Sequence, residues 1–187
     1  NTPGFKVVVP SNPYDAKGLL AAAIRDDDPG LYIEPKRIYR AFREDVPSTP
    51  YTVPIGKAAV VHEGDEVTMI SWGAMVRVCH DAADMLAREN ISVEVIDLRT
   101  LNPLDRDTIL ASVEKTGRAV VVHEAPRTNG FGGEIAALIG EHSLLHLQAP
   151  VQRVAGFDVT FPLAKNEHLY LPTRDRIAAA VKKTLDF

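Results

Sequence analysis

The sequence predicts an α/β protein with a mostly parallel sheet in a three-layer domain. Short apolar runs alternate with longer segments whose apolar residues recur every three or four positions, and the connections between them are brief. A balance of 45% hydrophobic to 25% charged residues is that of a chain able to bury a core. At 187 residues there is room for one domain and part of a second. Lysine plus arginine numbers 21 against 25 for aspartate plus glutamate, a net charge of -4 that provides no broad basic field, so neither nucleic acid nor a membrane is an expected partner. The single cysteine, Cys79, has no intramolecular disulfide partner, which makes an intracellular compartment the simpler reading. No apolar run reaches the roughly 18 to 20 residues of a membrane-spanning helix. The chain opens on Asn1-Thr2-Pro3-Gly4 without a signal or transit pattern, as the middle of something longer would.

Phe5 to Val9 reads as a buried strand. Pro10-Ser11-Asn12-Pro13 then starts a helix with Asn12 as N-cap and Pro13 at the first helical position. That helix runs from about Tyr14 to Arg25, with Gly18, Leu19, Ala22 and Ala23 on the packing face, and Asp26-Asp27-Asp28-Pro29-Gly30 stops it. Leu31-Tyr32-Ile33 completes a βαβ unit, and two strands with one helix do not make a stable sheet alone. From Pro35 to Gly56 periodicity vanishes and prolines recur, the pattern of an interdomain linker. Strands follow at Ala58 to Val61, Val67 to Trp72, Ser92 to Leu98, Arg118 to His123 and Val151 to Val154. Helices are expected at Met75 to Glu89, Arg106 to Thr116 (capped by Gly117), Gly132 to Ile139 and Arg174 to Leu185.

Sites in open parallel sheets gather at the carboxyl ends of strands. The richest such segment runs from His123 to Glu134 and carries Gly130, Gly132 and Gly133. Glycines opening a helix can hold an anion at its N-terminus, or can simply let the helix approach the sheet beside a locally bonded histidine; the second reading is preferred. The segment is neither GxGxxG nor a Walker loop. His142 and His146 are spaced for one helical face, without the general base of a zincin. Cys79 reads as a small buried hydrophobe, and no GxSxG occurs. Arg25-Asp26-Asp27-Asp28 sets carboxylates at the negative end of a helix, where last-turn carbonyls and aspartate oxygens offer a hard-cation ligand set; a solvated turn partly neutralised by Arg25 is the preferred alternative.

Pro3 to Leu20, Glu34 to Arg40, Pro54 to Ala58, Val95 to Leu101, Val113 to Arg118 and Gly156-Phe157-Asp158 together resemble the thiamine-diphosphate-dependent 2-oxo acid dehydrogenases, and within them the beta subunit of the decarboxylating component. Ser71-Trp72-Gly73 and His123-Glu124-Ala125-Pro126 with Gly130-Phe131 look more like branched-chain enzymes than pyruvate ones. The resemblance implies that residues 1–45 end a pyrimidine-binding domain, 46–57 form a linker, and 58–187 form a transketolase C-terminal-like domain.

The resemblance further implies oxidative decarboxylation of a 2-oxo acid by a heterotetramer of alpha and beta subunits. Thiamine diphosphate with magnesium would be bound outside this segment, and acyl transfer would go to a lipoyl transacylase. It assigns no catalytic and no cofactor-binding residue to this chain. It does imply a potassium site at Ala23, Asp26 and Asp28, and docking of the transacylase's subunit-binding domain at Asp158 and Phe187. Localisation would be cytoplasmic in a bacterium or the mitochondrial matrix in a eukaryote. Two alternatives stand: a pyruvate or acetoin dehydrogenase beta subunit, and a non-catalytic assembly module. A free-standing nucleotide-binding domain rests on the glycine segment alone.

Overall fold

A computed structural model describes residues 2–187. Its first unit is the expected βαβ: β1 (Lys6–Val8), α1 (Pro13–Arg25) and β2 (Gly30–Tyr32), with the two strands parallel. Asn12 caps α1 by accepting from the Asp15 N–H at 2.7 Å. Small sheets need a third strand, and it comes from far along the chain. β1 pairs antiparallel with a short strand at Thr100–Asn102, which the sequence reading did not identify and which lies inside the expected C-terminal domain.

The second sheet has five strands: β3 (Ala59–His62), β4 (Val67–Ser71), β5 (Val93–Asp97), then, past Thr100–Asn102 as β6, β7 (Ala119–Pro126) and β8 (Gln152–Gly156). Their spatial order is β3-β5-β4-β7-β8, with only β3 antiparallel to its neighbour. α2 (Ala74–Ala87) and α6 (Arg174–Leu185) cover one face; α3 (Arg106–Thr116) and α4 (Gly132–His142) cover the other. A short α5 (Glu167–Tyr170) precedes α6. Because successive side chains alternate across a strand, Val67 and Met69 of β4 enter the core under α2 while Ile70 enters the core under α3 and α4. β4 and β5 are buried along their whole length, as central parallel strands require. Met75, Cys79, Ala82 and Leu86 bury the predicted face of α2, and Gly117 ends α3 in the left-handed conformation, φ 68°.

A buried polar cluster secures α3 to the sheet. Thr68 Oγ1 lies 2.7 Å from Ser112 Oγ and 2.8 Å from Thr116 Oγ1, while Ser112 and Lys115 both bond Glu94. Arg118 Nε donates to the Thr184 carbonyl at 3.0 Å, so the C-terminus of α6 lies at the amino ends of the parallel strands. Its N-terminal Arg176 reaches the Ala155 carbonyl near the carboxyl end of β8. No helix is long and apolar enough to cross a membrane among the described residues.

The segment expected as a linker is packed. Val53 is buried with Val8 and Leu19, its N–H donates to the Gly18 carbonyl at 3.1 Å, and Tyr51 stacks on Tyr14 at 4.6 Å. Gly18 admits this approach: a Cβ there would stand 2.5 Å from Val53 Cγ2 and 2.8 Å from Tyr51 Cε2.

Candidate functional site

Strand order reverses between β4 and β7, and the crevice at their carboxyl ends is where an open α/β sheet ordinarily receives a ligand. Here side chains fill it. His123 continues the Val121 face of β7 and stacks on Trp72, which follows β4, at 5.5 Å and 12° between ring planes. Phe131 closes edge-on against Trp72 at 5.9 Å. A Cβ on Gly132 would lie 2.5 Å from His123 Nε2, so the glycines admit the imidazole. His123 is 1% exposed, and burial lowers its pKa against an opposing backbone contact with Ala125. Stacking on Trp72 thus adds to the local contact with the Ala125 backbone in holding the histidine beneath the glycines. Across the crevice, a Cβ on Gly73 would meet Val9 and Pro35 of the first unit at 3.0 and 3.3 Å. Glu124 is half-buried; desolvation raises its carboxyl, and nearby Arg37 opposes the rise.

The turn after β5 forms the strongest link between the two units. Arg99 Nε donates to Asp15 Oδ2 at 2.9 Å, and its Nη2 stands 2.8 Å from Oδ1 as an ion pair outside hydrogen-bond geometry. Asp15 is fully buried, and Asn12 Nδ2 also donates to its Oδ2 at 2.8 Å. Beside this pair, Ser11 Oγ donates to buried Asp97, whose other oxygen accepts the Arg99 N–H at 2.9 Å. Arg99 adopts a left-handed backbone, φ 57°, and its carbonyl accepts the Val9 N–H at 2.8 Å. A non-glycine residue in that conformation persists where its surroundings over-determine it, as these bonds do.

Of the residues implied as a cation site, Asp26 and Asp28 come together around an internal cation. Lys6 Nζ lies 2.6 Å from Asp26 Oδ1 and 3.0 Å from Asp28 Oδ2, and its hydrogen bond holds the Asp26 carboxyl below the usual carboxylate range. The two carboxylates thus accept one positive charge, and the chain itself supplies it. Asp158 and Phe187 stand apart. Asp158 follows β8 at the carboxyl ends of the strands, where Thr128 donates to it from its N–H at 2.9 Å and its Oγ1 at 2.8 Å. Phe187 is 80% exposed beyond the C-terminus of α6, one helix length away, on the order of 18 Å at 1.5 Å per residue. His142 ends α4 and His146 sits in the following 3-10 turn, so they share no helical face. Among the described residues, no three His, Cys, Asp or Glu side chains gather as a metal-holding group. Burial pushes the Cys79 thiol up to about 12, consistent with an inert core residue.

Residues 56–177 match the family described as transketolase, C-terminal domain. The chain belongs to this family. It is 51% identical over 186 residues to the pyruvate dehydrogenase E1 component subunit beta of Staphylococcus aureus, and equally so to that of Staphylococcus epidermidis. Each alignment covers all of this chain and 57% of the relative. A solved split-gene transketolase, an inactive beta4 tetramer, superposes with a TM-score of 0.80 at 27% identity, covering 98% of this chain and 58% of that one. The chain therefore spans little more than half the length of its curated relatives.

In this transketolase C-terminal domain the crevice is occupied by Trp72 and His123, and its residues do not fit thiamine diphosphate or its metal. The interdomain turn is the better-supported site. Its segment, Val95 to Leu101, was prominent in the sequence only as part of a resemblance. The long-range pairing of Arg99 with Asp15, 84 residues apart, had no local sequence signal.

Asp97 gives this turn a pH dependence. Burial, with a smaller contribution from Asp15, pushes its pKa from 3.8 up to about 6 against the bonds from Ser11 and Arg99. A raised carboxyl pKa contributes stability that is full below about pH 4 and is lost as pH rises through about 6. The stability of the wild type relative to Asp97→Asn should therefore fall by roughly 2 kcal/mol between pH 4 and 7. Denaturant titration across that range checks it; a constant difference would mean that Asp97 does not titrate there.

Proposed function

We propose that this chain is the C-terminal part of the beta subunit of a thiamine-diphosphate-dependent 2-oxo acid dehydrogenase, with pyruvate rather than a branched-chain 2-oxo acid as the substrate. The observation that carries this reading is 51% identity, unbroken along the chain, to pyruvate dehydrogenase beta subunits. It favours the pyruvate alternative over the branched-chain expectation raised by Ser71-Trp72-Gly73 and His123-Glu124-Ala125-Pro126. The bacterial relatives support a cytoplasmic rather than a mitochondrial setting.

The chemistry at the 2-oxo acid would belong to thiamine diphosphate held elsewhere. This segment's own residues act mechanically: Arg99 and Asp97 fix the C-terminal domain against α1, and Gly18 and Val53 seat the linker. Alpha and second beta subunits complete the proposed heterotetramer. Docking of a lipoyl transacylase's subunit-binding domain at Asp158 and Phe187 belongs to the same proposal.

The decisive assay compares kcat/KM for pyruvate and 2-oxoisovalerate in the intact enzyme, assembled with its alpha subunit, thiamine diphosphate and magnesium. Pyruvate should be preferred by about tenfold or more, the scale on which pockets discriminate small apolar groups. Preference for 2-oxoisovalerate would overturn the pyruvate assignment, and turnover of neither would overturn the dehydrogenase reading.

A potassium ion at Ala23, Asp26 and Asp28 must compete with the Lys6 ammonium for two carboxylates. Lys6→Met should lower the melting temperature of the intact protein in tetramethylammonium chloride, and potassium chloride should restore part of the loss by mass action. Identical melting of the variant in the two salts would remove the cation from the proposal.

A further inference from the structure

The segment that joins β7 to α4 creates a second feature, separate from the interdomain turn. Arg127, Arg153 and Arg176 line one pocket of about 180 Å³, with Phe157 as an apolar wall and Asp158 as its only acidic residue. None of the three arginines is ion-paired among the described residues. Asp158 spends both carboxylate oxygens on Thr128. The pocket therefore carries a net positive charge.

The arginines differ in what they have left to give. Arg176 is committed: its Nη2 donates to the Ala155 carbonyl at 2.7 Å, its Nη1 to Tyr170 and Leu171 at 3.4 Å, and its plane lies 4.6 Å from the Phe157 ring. Arg153 makes a single bond of 3.3 Å to the Arg127 carbonyl, and the Arg127 guanidinium makes none among the described residues. Their remaining N–H groups are free for a ligand.

The surroundings add positive potential rather than cancel it. Arg153 Nη1 stands 3.3 Å from where a Gly133 Cβ would lie, in the first turn of α4. This turn has no side-chain cap, and cations at a helix N-terminus are electrostatically disfavoured. Two unspent guanidiniums therefore line one pocket, one of them beside the uncapped start of α4.

We propose that this pocket binds the oxyanion head, carboxylate or phosphate, of a small organic acid whose carbon skeleton rests on Phe157. A volume of about 180 Å³ admits such a head with a few carbons. Arg127 and Arg153 make the charge-assisted hydrogen bonds, while Arg176 holds the wall and contributes its field. The site shares Asp158 with the proposed docking surface, and its test reads anion binding alone.

The test titrates inorganic phosphate and, separately, acetate into the intact protein by calorimetry, with chloride maintaining ionic strength. Saturable binding is expected, weakened about tenfold or more by Arg153→Gln and by Arg127→Gln. Asp158→Asn should tighten binding several-fold, because it removes the pocket's negative charge and leaves Thr128 an acceptor. Tighter phosphate than acetate assigns a phosphate head, and the reverse assigns a carboxylate. Anion responses no greater than that to chloride would overturn the proposal, as would an Asp158→Asn affinity equal to the wild type.

Discussion

The ion pair between Arg99 and buried Asp15 is the constraint on which the rest of the arrangement depends. It joins the turn after β5 to the first turn of α1, across a chain separation that no local interaction bridges. Once Arg99 is held there, its carbonyl is positioned to accept from Val9 and the following residues, Thr100–Asn102, lie against β1. The small first sheet thereby acquires its third strand from the other domain. Breaking a buried pair leaves one charge desolvated without compensation, at a cost of about 3 to 5 kcal/mol. The two domains are consequently coupled in stability as well as in space.

The switch point of the five-stranded sheet is also closed to a ligand, by a different set of contacts. Trp72, His123 and Phe131 fill the switch point from within, while Val9 and Pro35 of the first unit abut Gly73 beside it. An α/β scaffold is used here for packing against its neighbours. Charge is concentrated instead at the outer edge, where β8 ends and α4 begins.

Much of this was legible in the sequence, for identifiable reasons. α2, α3 and α6 carry apolar residues at helical spacing and end on recognisable signals, such as Gly117, so their positions follow from periodicity. β4, β5 and β7 are apolar runs too short for helices. β6 was hidden because its three residues, Thr-Leu-Asn, carry no alternation and pair with a strand more than ninety positions away. The segment expected as a linker showed no periodicity because its contacts, Tyr51 on Tyr14 and Val53 on Gly18, are single residues among prolines and charges. The Asp26 and Asp28 cluster was visible, whereas Lys6 lies 20 residues from Asp26, so the sequence offered no hint that it lies between them. Asp158 and Phe187 were grouped by resemblance; the direction of α6 separates them.

The most direct test of the interdomain constraint is a double-mutant cycle on Arg99→Met and Asp15→Asn, measured by denaturant unfolding of the intact protein at neutral pH. If the pair joins the two units, the cycle should show a coupling energy of about 1 to 3 kcal/mol, with the double variant less destabilised than the sum of the singles. Effects that add to within about 0.5 kcal/mol would contradict it, since independent sites behave in that way.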